Sequence, residues 1–514
     1  MSILAAFNSA RSSLRAQTRA LSITANNIGN VNTPGYTRLR PIFVPIPESS
    51  DGIGLGGGVS IDSVQRVVDV TLDLQLQRER EQLAYDEHIE QGLSGIEGIL
   101  AELGGTGIGA ALDHFFASLG DLANDPENPG VRQSVLQAAR SLISPIREAD
   151  RRLAERQIDA NNQIAQSVAE VNTILQGIAQ LNSQIFRIET GGTGDAASAL
   201  RDRRAQLLSD LAQHVDFSHY ERPNGQIAAF LSGGALLVDS EMAAGLATQP
   251  GAGANPVFLD VFHELQGSLS GPITSTIRGG TMGAAIDLRD NRLQSYRDSL
   301  DEFAFTLARR INNEHYGPLP APPPGDAFGL VDNLSRRFFV DGTAAAVPEG
   351  ADFALIGGAA SRIAIHSDIV TDTRHIAAGA TSVGGAGAAA GDNENALELA
   401  ALQLDSSSFF QITRDPATGL EIPPGIVPGG STETLNSFLS SVSGRLGTEL
   451  LGSQRALAQE ELIVAELEQR RAAVSGVSLD EEIANLIRIE RAYQASARLI
   501  RDTNTLLGFL LDVI

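Results

Sequence analysis

The sequence predicts a multidomain, mainly α-helical chain with β insertions, and three observations carry that expectation. The chain has 514 residues, too many for one hydrophobic core. Apolar residues recur at helical spacing over most of its length, interrupted by two Gly-rich blocks of short apolar runs. Both ends carry seven-residue repeats: Phe7, Leu14, Leu21 and Ile28 at the start, and Leu479, Leu486, Tyr493, Ile500, Leu507 and Ile514 at the finish.

Taken in order, residues 3–31 read as a helix that stops at Asn26-Asn27-Ile28-Gly29-Asn30, where Gly29 can take a left-handed conformation. Thr33-Pro34-Gly35-Tyr36 reads as a turn, Pro34 setting φ and Gly35 accepting a positive one. Residues 51–70 are Gly-rich and then strand-like. Helices follow at about 69–103 and 113–124. A third, from 130 to about 189, is one that Pro145 should kink or divide. A helix over 195–215 leads into short β runs across 215–284, and 284–313 returns to helix. The Pro-rich segment 318–325 opens a second non-helical block reaching about 393. A short helix at 393–405 and a long one near 432–474 follow. The last helix opens on the capping box Ser478-Leu479-Asp480-Glu481.

The expected architecture is therefore a coiled-coil-like terminal domain (1–36 with 478–514) and a long-helix bundle (37–214 with 285–315 and 393–477). A β-rich insertion (215–284) and a variable β-rich outer domain (316–392) complete it. Pairing of the end helices, parallel or antiparallel, is the simplest use of their repeats.

Composition excludes several function classes. All 38 basic residues are Arg, so no P-loop lysine and no Schiff-base lysine exist. Zero Cys removes disulfides, Cys-zinc sites and thiol nucleophiles. A net charge of −24 speaks against nucleic acid as partner, and no apolar run of 18 residues offers a membrane span. Gly52-Ile53-Gly54-Leu55-Gly56-Gly57 fits a dinucleotide fingerprint formally, yet precedes a strand rather than a helix, so a turn is the better reading. His214 and His219 lack metal-ligand spacing. Paired acids such as Glu481/Glu482 read as helix caps or solvated faces. No catalytic site, cofactor or metal is expected. The Arg-rich, acid-poor start is compatible with a transit peptide or a membrane-active helix, and a poor fit to a cleaved secretory signal.

Two segments carry a family resemblance. Ala25-Asn26-Asn27-Ile28-Gly29-Asn30-Val31-Asn32-Thr33-Pro34-Gly35-Tyr36-Thr37-Arg38 resembles the N-terminal signature of bacterial flagellar rod, hook and hook-associated proteins, and Tyr493-Gln494-Ala495-Ser496-Ala497 resembles their C-terminal one. Phe115-Phe116-Ala117-Ser118-Leu119, the stretch Ala123–Gln133, Leu200-Arg201-Asp202-Arg203-Arg204-Ala205-Gln206-Leu207 and Gly476–Glu482 are similar to the hook-associated protein 1 (FlgK) family. The resemblance implies a structural protein of the hook–filament junction, exported unfolded through the flagellar type III apparatus with a dedicated chaperone and without a cleaved signal peptide. It implies an extracellular location and assembly as a ring or helical layer between hook protein and hook-associated protein 3. Phe7, Leu14, Leu21, Ile28, Leu479, Leu486, Tyr493, Ile500, Leu507 and Ile514 are the candidate assembly interface. Asn27, Asn30, Asn32, Pro34, Gly35 and Tyr36 are the candidate signature turn. A different axial protein (hook or distal rod) is the alternative, and an axial protein bearing a hydrolase within 215–392 a more distant one.

Overall fold

The computed structural model describes residues 3–512 except 48–56, 102–106, 191–196, 252–257, 317–328, 331–335, 344–352, 354, 381–387, 390, 415–420 and 422–430. Most of residues 52–57 and Ile514 therefore lie outside the described residues.

Helix α1 (Ile3–Gly29) is followed by a hairpin of β1 (Leu39–Pro45) and β2 (Val59–Arg66), whose register shifts between Ile42 and Phe43. The sequence reading misses β1 because Pro41 and Pro45 break its pattern. Each proline costs one backbone donor, which a two-stranded ribbon tolerates at its open edge. The hairpin lies against α1. Gly58 is what lets it approach: φ is +104°, and a Cβ there would sit 1.9 Å from Ser12 Oγ, which itself accepts from Val59 N at 3.2 Å.

Helices α2 (Val70–Ala101), α3 (Ile108–Asn124), α4 (Pro129–Thr190) and α5 (Ser198–His214) come next. α4 has 62 residues, about 90 Å at helical rise, and runs unbroken through Pro145. Of the two expectations for Pro145, a kink or a division, the helix is not divided. The missing hydrogen bond is outweighed by flanking residues fixed in the core, with Leu142 and Ile146 both fully buried.

Two antiparallel sheets follow. The first orders β3 (Phe217–Glu221), β4 (Ile227–Leu231), β5 (Leu236–Asp239) and β6 (Met242–Ala243) consecutively. The second orders β7 (Gly245–Pro250), β8 (Leu259–Leu265) and β9 (Ser268–Pro272). The helix expected over 284–313 is two helices, α6 (Gly280–Asp287) and α7 (Leu293–Tyr316), joined by a π turn at Leu288–Arg292. Buried Arg289 explains the extra residue. Its Nη1 donates to Asn161 Oδ1 at 2.9 Å and Leu259 O at 2.7 Å, tying helix to sheet.

Beyond α7 come β10 (Phe339–Asp341), α8 (Ala359–Arg362), β11 (Ile363–Ile365), α9 (Ser367–Thr371), α10 (Glu394–Ala401), β12 (Ser407–Ser408) and β13 (Thr432–Glu433). Helices α11 (Leu435–Ser475) and α12 (Leu479–Asp512) close the chain. Among the described residues of 316–392, the extended strands are one antiparallel ribbon of three-residue strands, β10 with β11, so these residues are not β-rich. Nor do they stand apart. Phe338, Phe339, Ile363 and Ile369 join the core built by α3, α4, α7 and the start of α11. Arg132, buried on α4, donates from Nε to Pro126 O at 2.7 Å and from Nη1 to Ile376 O at 2.8 Å. Phe339 pairs with Ile365 in the β10–β11 ribbon while its ring, with that of Phe338, is buried against the helices.

A second core joins the far half of α4, through Ile164, Val171, Leu175 and Ile178, to α5, α6 and both sheets. α2 and α11 pair antiparallel, fixed by Arg471–Asp73 at 2.8 Å and Arg80–Glu468 at 2.5 Å around Leu76, Val464 and Leu467. They form the stalk that leads to the two end helices. No helix among the described residues is long and apolar enough to cross a membrane.

Candidate assembly site

The end helices α1 and α12 pack along one another. Ser13 faces Ser496 (Oγ–Oγ 3.0 Å) while Asn27 reaches Glu482, so the pair is antiparallel. Its seam is lined by small or polar side chains: Ala10, Ala16, Ala20, Thr24 and Asn27 are buried from α1, and Glu482, Ile489 and Thr503 from α12. The heptad residues singled out from sequence do not fill this seam. Phe7, Leu14, Leu21 and Ile28 are half-buried on α1. Leu486, Ile500 and Leu507 are half-buried on α12, and Leu479 and Tyr493 are exposed at 45% and 38%.

Helical geometry gives these rows one address. At 100° per residue, the α1 row is rotated from the centre of the α1 seam in the same sense as Leu479, Leu486 and Tyr493 are from the α12 seam. In an antiparallel pair, flanks rotated in the same sense lie on the same face. The two rows therefore make a single apolar strip beside the seam, widened by Ile483, itself 47% exposed. Close approach through alanine and serine is what leaves the large residues outside.

The turn after α1 anchors the pair to the body. Asn27, only 1% exposed, spends its whole amide: Nδ2 donates to Leu39 O at 2.9 Å and Glu482 Oε2 at 3.2 Å, and Oδ1 accepts from Leu39 N at 3.0 Å and the Tyr36 hydroxyl at 2.8 Å. Burial, helped by Asp202 and Glu482, pushes the Tyr36 phenol up to about 12, so it remains a donor across the physiological range. Asn30 Nδ2 caps Asn26 O at 2.9 Å. Pro34 and Gly35 sit at the centre of a turn closed by Tyr36 N on Thr33 O at 3.2 Å, with Gly35 at φ +77°. Asn32 is exposed.

Three separate sequence motifs converge on this turn. Asp202 of α5 accepts from Thr37 N at 3.3 Å and Arg66 Nε at 2.9 Å. Arg38 N donates to Ser475 O at 3.0 Å, at the end of α11, and the Arg38 guanidinium pairs with Glu481. Arg204, two residues past Asp202, donates to Asn182 Oδ1 at 2.8 Å and Gly225 O at 2.7 Å, joining α5 to α4 and the first sheet. Sequence reasoning singled out each motif but not the role of Asp202 or Ser475, because contacts over such separations leave no periodic signal. A groove of about 1070 Å³ opens beside the turn between α2, α5 and α11. Its arginines are matched by carboxylates, Arg66 with Asp202, Arg80 with Glu468 and Arg471 with Asp73.

Comparison with known proteins places this geometry. Residues 93–319 match the helical domain of the flagellar hook-associated protein FlgK, 7–37 the flagella basal body rod protein model, and 468–513 the C-terminal model of flagellar basal body rod FlgEFG proteins. The flagellar hook-associated protein 1 of Salmonella typhimurium is 25% identical, over 98% of this chain and 99% of its own. That of Bacillus subtilis is 27% identical, over 98% and 96%. The structure of the flagellar hook junction protein FlgK from Burkholderia pseudomallei shares the fold at TM-score 0.60. It matches 78% of this chain and 100% of that one, at 15% identity.

Proposed function

The chain belongs to the flagellar hook-associated protein 1 family, and from that premise we propose that it joins hook to filament by self-assembly through the apolar strip of its end-helix pair. It is a structural component of the bacterial flagellum. The observation that carries the assembly reading is the exposure of Leu479, Ile483 and Tyr493 beside half-buried Leu14, Leu21 and Leu486 on one face of a helix pair. Apolar side chains repeated at seven-residue spacing on a helix pair gain most when a neighbouring helix covers them.

The finer elements of the proposal follow from family membership. The copies form a ring or helical layer, with hook protein on one side and hook-associated protein 3 on the other. The chain reaches its extracellular site through the flagellar type III export apparatus with a dedicated chaperone. A chain without Cys suits that passage, since no disulfide can trap it. The working division keeps the terminal pair (1–36 with 478–514) as the assembling unit, with the long helices, the 215–284 sheets and the 316–392 segment outside it.

The test is complementation of a strain lacking the native protein. Leu21→Asp and Leu486→Asp should give a folded chain, by circular dichroism and a protease-resistant 70–315 region, that is exported but absent from hook–filament junctions. Normal filament growth with either variant contradicts the proposal.

A further inference from the structure

The stalk contains a flaw in its packing. Toward the body, the α2–α11 seam is closed by Leu446 and Leu450, which join the main core with Ile89 and Leu93; toward the end helices it is closed by Leu76, Val464 and Leu467. Between these apolar stretches lie Ser453 and Glu460 on α11, one heptad apart. Both are polar, and both carry a buried oxygen without a hydrogen-bond partner, Ser453 Oγ and Glu460 Oε1. Glu460 is only 8% exposed, and what faces it is another acid: Glu79 of α2 within hydrogen-bonding reach, with Asp86 of α2 a further two helical turns along. The cations of the same seam are engaged elsewhere, Arg80 by Ser209 and Glu468, Arg471 by Asp73. On the far side of α2, Glu81 faces Asp216.

A buried carboxyl facing a carboxylate is stable only while a proton lies between them. With the proton, one O–H donates to the neighbouring carboxylate oxygen and the seam closes. Without it, two anions repel in the gap, at a stretch of the stalk where the apolar packing that resists opening is thin, with Leu83 and Ile463 only half-buried. We propose that the Glu79–Glu460 pair is a proton-operated flexure: a shared proton closes α2 onto α11, and its loss lets the end-helix pair rock about its anchor at Asp202 of α5. The proton is held well above the ordinary carboxylate range, Glu460 being pushed up to about 7 by burial and by Glu79. The joint is therefore stiff in mild acid and compliant in mild alkali. A part seated between a hook and a filament has a use for such compliance.

The test uses the full chain, which has no native cysteine, with nitroxides on Ile158→Cys of α4 and Arg498→Cys of α12, both exposed. Electron–electron distance distributions should be narrow at pH 5.5 and at least about twofold broader at pH 8.5, with a midpoint near pH 7. Glu460→Gln should be narrow at both. Glu79→Gln, on the opposite helix, supplies the same reading should the first variant lose helicity by circular dichroism. Equal widths at both pH values in the parent chain, or pH-dependent broadening that survives in the folded Gln variants, overturn the proposal. Survival in the variants would assign the effect to Glu81 and Asp216 instead.

Discussion

Asn27 donates from Nδ2 to Glu482 Oε2 at 3.2 Å, joining the last turn of the first helix to the first turn of the last helix across 455 positions of sequence. The same amide bridges both backbone groups of Leu39, so one side chain sets where α1 ends, where the hairpin begins and how α12 approaches.

Replacing it should therefore cost more than a surface amide would. Asn27→Ala strands the Leu39 backbone groups and the Glu482 carboxylate without their partner in a buried site, a loss of about 2 kcal/mol. Asn27→Asp should be worse, since a second carboxylate would face Glu482. Limited proteolysis of the monomer checks this: both variants should release α1 and α12 fragments earlier than the parent while the region around α4 stays intact.

The seam between the end helices depends on small residues. Ala20 is fully buried there. Ala20→Leu should force the helices apart and destabilise the pair by about 1–3 kcal/mol. The reverse change on the apolar strip, Ile483→Ala, should leave monomer stability nearly unaltered, because its side chain is half in solvent. Denaturant unfolding followed by helix content distinguishes the two. Equal losses would mean the seam and strip have been interchanged.

These two predictions mark where the sequence was readable. Most helices and the strands of 215–284 followed from period and punctuation, though β1 and the break at Leu288–Arg292 did not, and the turn at Pro34-Gly35 followed from its own residue types. The seam did not, because Ala10, Ser13, Ala20 and Thr24 carry almost no hydrophobic signal, whereas Phe7, Leu14 and Leu21 beside them carry a strong one. A seven-residue repeat says that a face is covered, not by what. The convergence of Arg38, Asp202 and Ser475 was illegible for a different reason, being made of single polar contacts between distant segments. In the 316–392 segment, strand propensity at Phe338-Phe339-Val340 is realised only as the short ribbon of β10 with β11, while Phe338 and Phe339 are buried in the helical core.

His315 predicts an acid-side loss of stability. It is fully buried between Arg336 O, which accepts from Nδ1 at 2.5 Å, and Ala377 N, which donates to Nε2 at 2.8 Å. Burial pushes the imidazole down to about 4, so the native ring stays neutral while the unfolded chain takes up its proton near 6.5. Stability from this group is whole above 6.5 and is lost as pH falls toward 4, amounting to about 3 kcal/mol. The stability difference between parent and His315→Gln should shrink across that window.

Glu302 predicts the opposite slope. Burial lifts its carboxyl to about 7, against an unfolded value of 4.5, though it accepts from Ile412 N at 2.9 Å. Its contribution is whole below 4.5 and is lost as pH rises through 7. Glu302→Gln should therefore flatten the stability profile on the neutral side while leaving the acid limb set by His315.

The central claim is that the apolar strip of the end-helix pair is covered only when copies of the chain assemble. Because the chain has no cysteine, Ile483→Cys and Tyr493→Cys can each be placed singly and challenged with a maleimide, with Leu269→Cys on the second sheet as the exposed reference. The account expects both strip positions to react freely in the monomer and at least about tenfold more slowly in intact flagella, while position 269 reacts alike in both. Undiminished reaction at 483 and 493 in assembled flagella would show that the strip faces solvent there, and the contacts that build the junction would have to lie elsewhere.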